Sequence, residues 1–117
     1  MHRHTDPALH KCIELCWSCR DTCQSILFNY CLQHGHNQPD HVRVMMDCIQ
    51  ACQTSADFMT RNSPLHAATC RACAEVCDAC ANSCEAMEDE EMKRCAEICR
   101  QCAESCRAMA GGMHGGH

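Results

Sequence analysis

The sequence is short of the residues that normally build a protein interior. Leucine, isoleucine, valine and phenylalanine supply only 14 of the 117 residues, below the ~20% at which composition alone signals disorder. No run approaches the ~18 apolar residues of a membrane span, and the N-terminus, Met1-His2-Arg3-His4-Thr5-Asp6-Pro7, lacks the apolar segment of a secretion signal. The expectation is a soluble, cytosolic protein whose thiols stay reduced and which meets no membrane. Lysine and arginine form no basic stripe and the net charge is −5, which excludes nucleic acid as a partner. Glu-x-x-His pairs are absent, so a di-iron carboxylate bundle is excluded. The ferredoxin run C-x2-C-x2-C-x3-C-Pro is missing too, and no strand pattern supports a thioredoxin-like setting.

What fills the deficit is cysteine, 16 residues, together with 14 alanines. A free cysteine behaves as a small buried hydrophobe, so a thiol-lined interior can replace one built of leucine. The length suits one domain with one core.

Three prolines divide the chain, at Asp6-Pro7, Asn37-Gln38-Pro39 and Ser63-Pro64. Proline is tolerated in the first turn of a helix, so each marks a start. The predicted helices cover 7–33, ending before Gly35, then 39–61, 64–87 and 89–110, with the acidic cluster Glu88-Asp89-Glu90-Glu91 at the positive end of the last one. Gly111-Gly112 should stop that helix and leave 111–117 as a flexible Gly/His/Met tail. Neither glycine nor proline separates Cys84 from Cys95. A break is still expected there, because one unbroken helix of about 70 Å could not bury both halves in a domain of this size.

The pattern C-x3-C-x2-C-x3-C occurs three times: Cys12, Cys16, Cys19 and Cys23; Cys73, Cys77, Cys80 and Cys84; Cys95, Cys99, Cys102 and Cys106. Cys70 extends the second copy backwards by three. Alternating steps of three and four keep residues on one face of a helix. The same register links His41, Met45, Cys48, Cys52, Ser55 and Met59 in the second helix. Seams of this kind predict an all-α fold, an antiparallel four-helix bundle with a cysteine-lined core.

Helix geometry then sorts the chemistry. Neighbours three or four apart have Cβ atoms ~5–6 Å from one another, whereas a disulfide needs ~3.5–4.5 Å. Regular intrahelical bridges would therefore strain the helices, and a disulfide scaffold is rejected. Structural zinc uses closed sets of four ligands, usually two distant pairs on turns. Here each C-x2-C pair sits inside a longer helical row. Thiolates select soft Cu(I), and rows facing one another offer a continuous tube of sites. A buried thiolate without a countercharge is very costly, so electroneutrality points to on the order of one Cu(I) per core cysteine. A buffer for zinc or soft metals in general stays open as the alternative. A third reading, a redox enzyme using one C-x2-C pair, would need a single acidic and accessible thiol.

The cysteines outside the three rows are less specific. Cys31 lies eight residues beyond Cys23 and is the best candidate for inert packing, with Cys48 and Cys52 between that case and the rows. In an up-down-up-down bundle the first and third connections share one end. That end would carry His34, His36 and His41, with Met45, Met87 and Met92 one turn inward. Imidazole and thioether donors there would suit metal acquisition.

The three repeats, the C-x3-C step at Cys48/Cys52 and the His/Met loops resemble the bacterial copper storage proteins over nearly the whole chain. The resemblance implies a four-helix bundle without catalytic activity that stores or buffers Cu(I) on its thiolates, with a His/Met mouth. The cytosolic branch of that family further implies a homotetramer, and a copper chaperone is expected as a partner. The second helix departs from the pattern with only two cysteines, and Leu27 and Ser55 stand where further thiols would be expected.

Overall fold

A computed structural model describes residues 6–115, with side-chain surroundings through residue 111. Four helices run Pro7–Ile26 (α1), Pro39–Thr60 (α2), His66–Glu85 (α3) and Glu90–Gly115 (α4). Each packs on its chain neighbours and α4 returns to α1, which closes the antiparallel up-down-up-down bundle expected from the repeats. The molecule measures 48 × 23 × 20 Å, and the thiol rows run along its long axis.

Local chemistry explains the helix ends. Asp6 caps α1 by accepting the Ala8 N–H at 3.0 Å, with Pro7 in the first turn. Pro39 likewise sits in the first turn of α2, there without a side-chain cap. Pro64 does not open α3. Ser63 Oγ accepts the Leu65 N–H at 3.1 Å and holds Pro64-Leu65 in a turn, so the helix begins at His66. The expected break between Cys84 and Cys95 exists without glycine. Glu88 takes a left-handed conformation (φ 66°), at a cost of roughly 1–2 kcal/mol for an L-residue. Asp89 offsets it by accepting the Met92 N–H at 3.1 Å, as an N-cap does.

Two further helix ends differ from the sequence-based expectation. α1 does not stay α-helical to Gln33: Leu27–Cys31 form a π turn, with an i→i+5 bond from the Leu32 N–H to the Leu27 carbonyl. At the other terminus, Gly111-Gly112 does not stop α4, which continues to Gly115. Glycine weakens a helix by about 1 kcal/mol relative to alanine but does not forbid it, unless a left-handed turn follows. Of the expected tail, residues 116–117 lie outside the described residues.

The interior is made of sulfur and alanine. All 16 cysteines are fully buried. Ala74 and Ala81 on α3 and Ala96 and Ala103 on α4 are buried beside them, and these small side chains let the two helices approach closely. Outside, Arg100 bonds Asp78 at 2.9 Å, Asn82 at 2.7 Å and Glu85 at 2.9 Å, tying α4 to α3.

Candidate metal centre

The three rows and the α2 seam converge on one axis, where sulfurs meet across helices at hydrogen-bonding distance. Cys23 Sγ lies 3.5 Å from Cys95 and 3.6 Å from Cys99. Cys19 meets Cys99 and Cys48, each at 3.8 Å. Cys48 and Cys52 both reach Cys77 at 3.7 Å. Cys52 continues to Cys102 at 3.9 Å, and Cys102 to Cys16 at 3.7 Å. Cys106 then joins Cys16 at 3.6 Å to Cys12 at 3.7 Å. The sulfurs thus form one unbroken path through the bundle. Cys48 and Cys52, uncertain from the sequence, sit at its centre.

Groups of four thiols whose sulfurs all lie within 4.8 Å of one another recur along this path. They include Cys16/Cys73/Cys102/Cys106, Cys52/Cys73/Cys77/Cys102, Cys19/Cys48/Cys52/Cys77, Cys19/Cys23/Cys48/Cys99 and Cys23/Cys80/Cys95/Cys99. These five groups draw on only twelve cysteines, because eight belong to two groups each. Closed tetrahedral sites need ligands of their own. An overlapping array suits ions that share bridging thiolates.

Beyond Cys12 at one end lies Cys70, whose sulfur meets Ser55 Oγ at 3.3 Å. The other end carries a different donor set. Cys31 Sγ faces His41 Nε2 at 3.6 Å, Met45 Sδ at 3.8 Å and Met92 Sδ at 3.9 Å. Cys31, Met45 and Met92 have no exposed surface and His41 has 2%. Cys31, the best candidate for inert packing by spacing, thus lies among three potential donors. In an uninterrupted α-helix, eight residues overshoot two turns by about 80°. The π turn puts more residues into the last turn and brings Cys31 back to the face of Cys23. No spacing rule for α-helices would reveal this.

The remaining candidates divide. His36 is half-buried, and its Nε2 lies 2.7 Å from Asp89 Oδ2, which also accepts the Tyr30 hydroxyl at 2.7 Å. Its ring stands 6.3 Å from that of His41, so His36 roofs the cluster. His34 is exposed and stacks on Tyr30, with Nδ1 2.9 Å from the Tyr30 carbonyl. Both of these contacts are to Tyr30 and neither is to the four donors. Met87 is half-buried against the core edge.

Protonation follows from burial. Burial, with the nearby Cys84 and Cys95, pushes the Cys31 thiol up to about 12. Cys84 also rises to about 12: its contact with Cys80 favours the thiolate, but Cys95 and burial outweigh it. Cys31 and Cys84 are therefore neutral thiols without metal, and a second thiolate beside a first is costly anywhere in the array. Burial lowers the His41 pKa, so its ring is the neutral imidazole. His36 and then Tyr30 hold the Asp89 carboxyl down at about 2.

The sequence profile described as copper storage protein matches residues 5–111. This chain belongs to the copper storage protein family. Among solved structures, a crystal structure of a protein from Nitrosospira multiformis is 46% identical with a TM-score of 0.86, over 91% of this chain and 97% of that one. The Cu(I)-bound copper storage protein BsCsp3 is 31% identical with a TM-score of 0.82, over 88% and 98%. The apo form of copper storage protein 3 from Bacillus subtilis is 33% identical with a TM-score of 0.80, over 86% and 97%. No curated protein matches the chain. Family membership agrees with the resemblance read from the cysteine rows, and the neighbours share the four-helix bundle. Among the described residues no helix is long and apolar enough to cross a membrane.

Proposed function

We propose that this protein stores Cu(I), holding on the order of one ion per core thiolate along the sulfur path, as electroneutrality requires. The observation that carries this reading is the overlap of the four-thiol groups, which share eight cysteines. Cu(I) is soft and selects thiolate; by sharing bridging thiolates it can use every group of such an array, whereas discrete zinc sites could fill at most three of the five groups at once. All 16 cysteines serve as ligands in this reading, and each gives up its proton as an ion arrives.

Copper arrives at the end bearing Cys31, His41, Met45 and Met92. One thiol, one imidazole and two thioethers bind more weakly than a set of thiolates, so an ion held there can pass inward. The next sulfurs on that route are those of Cys84 and Cys95, the neighbours whose charge Cys31 feels. His36 covers this cluster, and His34 and Met87 supply outer donors around it. The role is storage without catalysis, in the cytosol, with a copper chaperone as donor or recipient. Assembly into homotetramers rests on the resemblance and is supported by Phe28 and Leu32 beyond α1 and Met46 on α2, which are large, apolar and exposed.

Competition separates this reading from a zinc or general soft-metal buffer. Reduced protein carrying both metals is dialysed against chelators of known affinity for each. Cu(I) retained at chelator strengths that strip zinc completely is the expected result. Zinc held more tightly than Cu(I) would reverse the assignment.

A further inference from the structure

We propose that Ser83 is the positioning residue of the copper-acquiring end: it holds the His41 ring as the Nδ1–H tautomer, so that the bare Nε2 lone pair faces Cys31 and the incoming ion. This rests on the reading of the Cys31/His41/Met45/Met92 cluster as the point of acquisition. Nothing in the cysteine rows assigns Ser83 a task.

The geometry is simple. His41 is the one imidazole that is buried among the described residues. Its Nδ1 lies 2.7 Å from Ser83 Oγ, across from α2 to α3, and its Nε2 lies 3.6 Å from Cys31 Sγ. A neutral imidazole has one N–H donor and one acceptor nitrogen, and the partner of one nitrogen fixes the role of the other. Nε2 faces Cys31 Sγ, whose other neighbours are the Met45 and Met92 thioethers, and only Cys31 among the three sulfurs carries a hydrogen.

Two arrangements are available. With the proton on Nε2, Ser83 would donate its O–H to Nδ1, but the His41 N–H would face sulfur, a weak acceptor, and the Cys31 S–H would be left to a thioether. With the proton on Nδ1, Ser83 Oγ accepts a strong N–H bond and Nε2 accepts the Cys31 S–H. The second arrangement satisfies both residues with better acceptors. When Cu(I) arrives, Cys31 releases its proton to water, the sulfur bonds the metal, and Nε2 exchanges the S–H for the same ion. Ser83 keeps its bond throughout, as outer partners of metal-binding histidines do.

Protein with 15N-labelled histidine tests this by long-range 1H–15N correlation on the metal-free reduced state, paired with stopped-flow transfer of Cu(I) from a chelator. The variants are Ser83→Ala, Ser83→Thr and His41→Ala. The wild type and Ser83→Thr should show His41 protonated on Nδ1 alone. Ser83→Ala should show mixed tautomers and transfer slowed by about tenfold or more, with helicity and final copper content unchanged. An Nε2–H tautomer in the wild type, or wild-type tautomer and transfer rate in Ser83→Ala, would overturn the proposal. Mixed tautomers in Ser83→Ala with transfer unaffected there and in His41→Ala would overturn it through the reading on which it rests.

Discussion

Cys31 Sγ and His41 Nε2 stand 3.6 Å apart with essentially no exposed surface on either residue. A thiol and an imidazole, two side chains of metal-binding chemistry, thus lie under a cover at the end of a sulfur path that is itself fully buried. Any ion that reaches the path from this end must displace that cover and exchange through this pair. Substituting Cys31→Ser or His41→Ala should therefore slow Cu(I) transfer from a chelator several-fold or more, with a loss of about one ion in final content, an effect of the size seen for ligand-shell changes. Stopped-flow transfer read against equilibrium loading separates the two quantities. Unchanged rates in both variants would move the point of acquisition elsewhere.

Burial also predicts the reactivity of the thiols. All 16 cysteines have zero exposure, and reactivity follows exposed thiolate. Alkylation of the native, reduced, metal-free protein should be slow at every cysteine and become fast only on denaturation. Mass spectrometry of timed samples reads this directly. One thiol labelled orders of magnitude ahead of the rest would instead favour a redox enzyme built on a single C-x2-C pair.

Asp89 gives a prediction with pH. Its carboxyl is held down at about 2 by His36 and Tyr30, below the unperturbed value of about 3.9. A depressed carboxyl contributes stability that is complete above its unfolded-state pKa and lost as pH falls through the folded-state value. Asp89→Asn keeps a competent helix cap but removes the charge. It should melt below the wild type at neutral pH, with the gap closing between about pH 4 and about pH 2. Asp89→Ala loses the cap as well, for about 1 kcal/mol more. Thermal melts of metal-free protein at stepped pH measure both. A gap that stays constant through that window would mean that the carboxylate charge does not fasten His36 and Tyr30.

The rows could be read from the sequence because an α-helix turns spacing into direction. Steps of three and four put Cys12 to Cys23, Cys70 to Cys84 and Cys95 to Cys106 on inward faces, and the α2 register from His41 to Met59 is buried at each of its six positions. The acquiring end was only half legible. His41, Met45 and Met92 lie in register, but Cys31 returns to the inner face through a π turn that has no spacing signature. The Asp89 bonds to Tyr30 and His36, and the Ser83 bond to His41, link residues 59, 53 and 42 positions apart. Such partners follow from how the turns fold over the bundle end, which local periodicity does not encode. Gly111-Gly112 misled for the opposite reason: glycine permits a helix stop without imposing one.

The central claim is that the sulfur path binds many Cu(I) ions at once, and anaerobic titration of the fully reduced protein with Cu(I) tests it most directly. Thiolate-to-copper ultraviolet absorption should rise to on the order of one ion per cysteine. Cys48→Ser and Cys52→Ser, which remove sulfurs from the middle of the path, should each lower that endpoint by about one to two ions while the bundle remains helical. Saturation at three or four ions, unmoved by either substitution, would contradict a shared thiolate store and indicate a few discrete sites.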